Sequence, residues 1–123
     1  MPEKTLEITV ENTSIRVVVA RATVLIGIRR TRLKYESEQE TDIDRRLLRL
    51  YTYADVAACT TGTLSIEGKE QPWPPDFETF LNLPDDLVGQ LENAVYAANP
   101  HWAPPQTEGT EAEKKVLTDS TSG

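Results

Sequence analysis

A chain of 123 residues with 13 basic and 20 acidic side chains carries a net charge of −7, and its length suits one domain with a terminal segment left over. Its one cysteine, Cys59, excludes an intrachain disulfide and a cysteine-based metal cluster, and fits a reducing, intracellular setting. No apolar run approaches the roughly 20 residues that span a bilayer, and MPEKTLEITVE at the N-terminus does not read as a signal peptide, so a soluble protein is expected.

Leu6, Ile8 and Val10 alternate with Glu7, Thr9 and Glu11, the pattern of a half-buried strand. Asn12-Thr13 stands where a tight turn belongs, and β-branched residues resume from Ser14 to Val19, so the two runs predict an N-terminal hairpin. From about Ala20 the period lengthens. Val24, Leu25, Ile28 and Tyr35 share one face of a predicted helix, with Arg29, Arg30, Arg32 and Lys34 around the rest. Residues 36–44 hold five acids and no regular apolar spacing, which predicts a loop, with Thr41 or Asp42 as the cap of the next helix. Leu47, Leu50, Tyr51, Ala54 and Ala58 then form a stripe, with Arg45, Arg46 and Arg49 expected on the exposed side and Thr60-Thr61-Gly62 as the stop. Leu64 to Ile66 reads as a short strand, while Pro72, Pro74 and Pro75 argue against helix or strand interior around Trp73.

The best-bounded unit runs from Phe77 to Trp102. Phe77, Phe80 and Leu81 fit a short helix before Pro84. Leu87, Val88, Leu91, Ala94, Val95 and Ala98 then recur at helical spacing. Pro84 suits an early helix position, Asp85 and Asp86 favour the positive end of the helix dipole, and Asn99-Pro100 ends the run. Trp102 is placed to fold back on the stripe. Beyond it APPQTEGTEAEKKVLTDSTSG is small, polar and without aromatics, which predicts a disordered tail. The expected fold is α+β but mainly α: an N-terminal β-hairpin and about four helices in one domain over 1–103, with a disordered tail over 104–123.

Charge divides along the chain. Residues 16–49 hold nine basic and five acidic side chains, and residues 50–123 hold three basic and twelve acidic. Such polarity suits either two solvated surfaces of opposite sign or copies that meet head to tail.

Residues able to do chemistry are scarce. His101 is the sole histidine, at a helix exit beside a Trp, and a structural or surface role suits it better than a triad or a metal site. Cys59 lies on the apolar side of a predicted helix and reads as a buried small hydrophobe. No glycine-rich phosphate loop is present. These features argue against an enzyme, and no cofactor is expected. Thr52 to Gly62 superficially resembles the first helix and turn of a helix-turn-helix regulator, but the acidic, strand-like residues 63–68 that follow make a poor recognition helix. The basic run Arg29, Arg30, Arg32 and Lys34 could face phosphate, yet an acidic protein surface suits it better in a chain of this charge.

The Phe77–Trp102 block resembles the C-terminal helical signature of the tail assembly chaperones of long-tailed phages. The residues that carry the resemblance are Trp73-Pro74, Phe77, Phe80-Leu81, Leu83-Pro84, Leu87, Val95-Tyr96 and the closing Asn99-Pro100-His101-Trp102. An N-terminal hairpin, an Arg-rich helix and a helix with Leu-Tyr-Thr-Tyr upstream are also similar. The resemblance implies a small chaperone in the bacterial host cytoplasm that coats the tape measure protein, self-associates, helps recruit tail tube protein and is absent from the mature virion. It also implies a frameshifted longer product, for which Lys114-Lys115 marks a candidate slippery site. No nucleic-acid or membrane partner is expected. Alternatives are a small structural or connector protein retained in the virion, and more distantly a DNA-binding regulator. Candidate partner-binding residues are Leu25, Ile28 and Tyr35 with Arg29, Arg30 and Arg32 on one surface, and Leu87, Leu91, Val95 and Trp102 on the other.

Overall fold

The computed structural model describes residues 4–104. Two strands, β1 (Lys4–Val10) and β2 (Thr13–Val19), form the N-terminal hairpin. They pair antiparallel with Ile8 opposite Ile15. The turn falls one residue earlier than the sequence suggests: Glu11 takes the left-handed conformation at φ 54°, and Thr13 already belongs to β2.

Helix α1 (Val24–Glu36) follows, capped by the Thr23 hydroxyl, which accepts from the Ile26 N–H. The acidic stretch makes a single 3₁₀ turn, Ser37–Gln39, before α2 (Ile43–Leu48). Asp42 caps α2 by accepting from the Arg45 N–H, one of the two caps the sequence offered. The helix runs on through a π turn, Arg49–Tyr53, into α3 (Ala54–Cys59), every residue of which is buried.

The sheet then grows to four strands in the order β1-β2-β3-β4, with β3 (Thr60–Ile66) on β2 and β4 (Lys69–Trp73) at the edge. The proline-rich region is therefore partly strand. Pro72 sits in β4 opposite Thr63, and an edge strand accommodates a residue that has no N–H to donate. The β3–β4 turn places Glu67 and Gly68 at φ 51° and 84°, the two left-handed residues of a tight hairpin. Thr60 to Gly62 does end α3, but as the opening of β3 rather than a loop. Gly62 is needed there for close approach: a Cβ would lie 2.0 Å from the Arg16 carbonyl oxygen.

Helices α4 (Phe77–Leu81) and α5 (Asp85–Ala98) occupy the predicted places, and a 3₁₀ turn, Pro100–Trp102, closes the chain. Pro84 is the residue before α5 rather than its first turn. The core is one layer of helix on one face of the sheet. Ile8, Ile15, Val17, Val19 and Leu64 supply the sheet side, and α3 with Leu87, Leu91 and Val95 of α5 supplies the helix side. Phe77 and Phe80 pack edge-on against Tyr53, with ring centroids 5.3 and 5.1 Å apart. The observed fold is α+β and mainly helical, with an N-terminal hairpin. The expected tail, apart from Pro104, and the Lys114-Lys115 pair lie outside the described residues.

Asn99 ends α5 by a different means from the left-handed cap its residue type suggests. Its φ is −132°, and its fully buried side chain acts as a bracket. The amide oxygen accepts from the Ala22 N–H at 2.6 Å, and the amide nitrogen donates to the Ala20 carbonyl at 3.0 Å. One side chain thus satisfies the backbone of the β2–α1 connection, which has no strand neighbour there.

Candidate partner-binding surface

Helix α1 packs the opposite way round from what its polarity suggests. Ile26, Arg30, Leu33 and Ser37 fall three or four residues apart and so line one side, which turns toward the body of the protein. The apolar set Val24, Leu25, Ile28 and Tyr35 does gather on one side, as its spacing predicts. That side faces solvent, with exposures of 82%, 67%, 52% and 69%.

The cause is Asp55. It sits on α3, 2% exposed, and a buried carboxylate needs hydrogen bonds and a counter-ion. Arg30 donates to it through Nε at 2.5 Å, the Tyr96 hydroxyl donates at 2.6 Å, and Lys34 Nζ stands 4.0 Å away. Burial, with the Asp55 hydrogen bond second, pushes the Tyr96 hydroxyl pKa upward. Burial lowers that of Lys34 despite the attraction of Asp55. The Arg30 guanidinium also lies 4.5 Å over the Trp102 ring, and Arg29 donates to the Ala58 carbonyl at 3.1 Å. With Ile26, Arg30 and Leu33 turned to the body of the protein, the side that carries Val24, Leu25, Ile28 and Tyr35 is left uncovered.

The same inversion extends to the next helix. Leu47, Leu50, Tyr51, Ala54 and Ala58 lie on one face only if the helix keeps a constant pitch. The π turn inserts an extra residue, so Ala54 and Ala58 point inward while Leu47 and Tyr51, at 44% and 55% exposed, point out. Ile43, 62% exposed, joins them four residues earlier, and periodicity alone did not mark it. Lys34 of α1 stands 5.4 Å over the Tyr51 ring and donates to the Leu50 carbonyl, which ties the two helices together. Arg45 and Arg49, expected at the surface, turn inward instead. Both bind Glu40, Arg45 also reaches Glu78, and they flank the Phe77 ring.

The candidate partner-binding residues therefore divide. Leu25, Ile28 and Tyr35 stand exposed, and Arg32 beside them has no ion-pair partner among the described residues. Arg29 and Arg30 are engaged with α3. Leu87, Leu91 and Val95 are fully buried and Trp102 is 7% exposed, so this second set is core rather than contact surface. Five of the nine basic side chains of residues 16–49 (Arg16, Arg30, Lys34, Arg45 and Arg49) are ion-paired within the chain. Of the twelve acids in residues 50–123 only Asp55 and Glu78 take part in these pairs, so the charge asymmetry between the two segments largely persists.

The outer side of α1 forms a shallow groove lined by Val24, Gly27, Ile28, Thr31, Arg32 and Tyr35. A second concavity, on the outer face of the sheet, is lined mainly by polar residues including Glu7, Arg16 and Glu70. Cys59 is buried, and burial pushes its thiol up to about 12. His101 is exposed beside Trp102. Among the described residues no group of His, Cys, Asp or Glu is arranged to hold a metal ion. No helix among them is long and apolar enough to cross a membrane. The residues after α3 form β3, so no recognition helix follows Gly62. Comparison with protein-family models, curated proteins and solved structures finds no match.

Proposed function

We propose that this protein is a phage tail assembly chaperone that binds and coats the tape measure protein during tail morphogenesis in the bacterial host cytoplasm. The observation that supports it is the uncovered apolar surface of α1 and α2: seven large apolar side chains between Val24 and Tyr51 stand in solvent. Isolated exposed apolar residues need no explanation, but two helical stripes on adjacent helices fit an amphipathic client helix laid in a groove. The tape measure protein, long and helical, is a client of that kind. The Phe77–Trp102 block supplies the reason for choosing this client among helical proteins. Its residues build the core that holds α1 in place, through Trp102 under Arg30. On this proposal the chaperone helps bring tail tube subunits to the coated client, and it leaves before the virion is complete.

Co-expression with a tape measure protein tests the proposal. The client stays soluble and co-purifies with the wild-type chain. Leu47→Glu, at an exposed position, abolishes both effects without changing the melting temperature. Failure of the wild-type chain to co-purify refutes the chaperone role. Its presence in purified virions would instead favour a retained structural component.

A further inference from the structure

The chain leaves the described fold beside α1. Asn99 is bonded to Ala20 and Ala22, just ahead of the helix, and the Trp102 ring lies 4.5 Å from the Arg30 guanidinium. The described residues stop at Pro104. In the sequence that follows, Glu108, Glu111 and Glu113 come first with no basic residue among them, then Lys114 and Lys115, then Val116 and Leu117. The last two are the only large aliphatic side chains after Trp102, and no aromatic accompanies them.

The groove on the outer side of α1 has matching parts. Val24, Ile28 and Tyr35 give it exposed apolar walls, and exposed Arg32 lines it with no ion-pair partner among the described residues. Arg21, also exposed, stands in the connection that Asn99 brackets. A Cβ on Gly27 meets nothing within 4 Å, so no packing among the described residues explains a residue that weakens a helix. Its missing side chain leaves the floor of the groove low.

We propose that this groove is covered in cis by the segment that follows Pro104, with Val116 and Leu117 seated over Gly27 between Ile28 and Tyr35. Glu108, Glu111 and Glu113 pass Arg21 and Arg32 on the way, and the face of the Tyr35 ring suits the ammonium of Lys114 or Lys115. The segment is long enough. The stretch from Pro104 to Leu117 extends to at most about 45 Å, whereas α1 is about 20 Å long and about 10 Å across. Two aliphatic side chains make a weak contact between separate molecules. Tethering raises the local concentration to the millimolar range, which favours the chain's own segment over any other occupant in dilute solution. Ile43, Leu47 and Tyr51 stay uncovered. On the chaperone proposal a client helix has to displace the segment, so the α1 stripe is shielded until a client arrives. The contact itself needs no client, and its failure leaves that proposal standing.

Paramagnetic relaxation in the full chain tests the inference. A nitroxide is attached at Ser120→Cys; Cys59, buried and with its thiol pushed up to about 12, stays unlabelled. The label should broaden the amide signals of Gly27, Ile28 and Thr31 well beyond those of Thr63 and Ser65 on the outer face of the sheet. Adding Leu117→Glu puts a charge in the contact and weakens it about tenfold. A contact made in about half of the molecules then survives in roughly one in ten, so the excess broadening falls about fivefold while core signals stay in place. Equal broadening of α1 and the sheet, or broadening that Leu117→Glu does not reduce, overturns the inference. So does broadening passed from a labelled chain to an isotope-enriched unlabelled one, which would make the occupant a second copy.

Discussion

Asp55→Asn is the sharpest test of why α1 lies as it does. The change keeps the shape of the side chain and an acceptor for the Tyr96 hydroxyl, now 2.6 Å from Oδ2, but removes the charge that faces Arg30 at 2.5 Å and Lys34 at 4.0 Å. Removing one partner of a buried ion pair costs about 3–5 kcal/mol, because the other charge is left uncompensated. Arg30 and Lys34 keep 24% and 25% of their side-chain surface in water, which reduces that penalty. A loss of about 2 kcal/mol is expected for Asp55→Asn, near the cost of one charged hydrogen bond. Asp55→Ala, which also leaves the tyrosine hydroxyl unpaired, should lose about 4 kcal/mol. For a domain of this size the milder change lowers Tm by about 10 °C. Urea unfolding followed by tryptophan fluorescence measures both, since Trp73 and Trp102 are buried and Trp102 lies beneath Arg30. A value for Asp55→Asn within about 0.5 kcal/mol of wild type, the range of an ordinary surface change, refutes the claim that this carboxylate orients the helix.

Three further outcomes are expected. Asn99→Ala removes both hydrogen bonds to the β2–α1 connection and leaves the Ala22 N–H and Ala20 carbonyl unpaired, a loss of about 2–4 kcal/mol in urea unfolding. Gly62→Ala forces a methyl against the Arg16 carbonyl and Val17 backbone of β2, which should cost at least about 2 kcal/mol and weaken amide exchange protection across the β2–β3 pair. Stability should fall as pH rises above 9.0, the ordinary thiol value, toward about 12, where the folded Cys59 ionises. The folded state holds that proton, and the Tyr96 proton, more tightly than the unfolded chain does, so raising pH favours unfolding. Lys34, whose pKa burial lowers, contributes with the opposite sign, and Lys34→Met should steepen the alkaline loss.

Patterns that depend on local chemistry were readable in the sequence. Alternation gave β1 and β2, Asp42 and the Asp85–Asp86 pair marked helix starts, and Leu87, Leu91 and Val95 marked a buried stripe. Strand β4 was hidden because a proline argues against strand until its edge position is known, and edge position is set by the topology of the whole sheet. Leu25, Ile28 and Tyr35 were offered as a contact surface and do stand exposed. Spacing could not show which of the neighbouring basic residues turn away from them: Arg30 is held by an acid on another helix, 25 residues away. The π turn, which has no marker in residue type, moved Leu47 and Tyr51 from the expected core side to the surface.

Asn99 also fixes an order of events. Its bonds to Ala20 and Ala22 span 79 and 77 residues, and Trp102 reaches Arg30 from nearly as far. A chain synthesised from its N-terminus can form the first hairpin and the turns of α1 early, since those contacts are local. Asp55 can draw in Arg30 once α3 has been made, but the Ala20 and Ala22 backbone has no Asn99 side chain to bond, and Arg30 no Trp102 ring to lie over, until the end of α5 has been synthesised. The connection that leads into α1 is thus locked last, after the contacts that orient the helix.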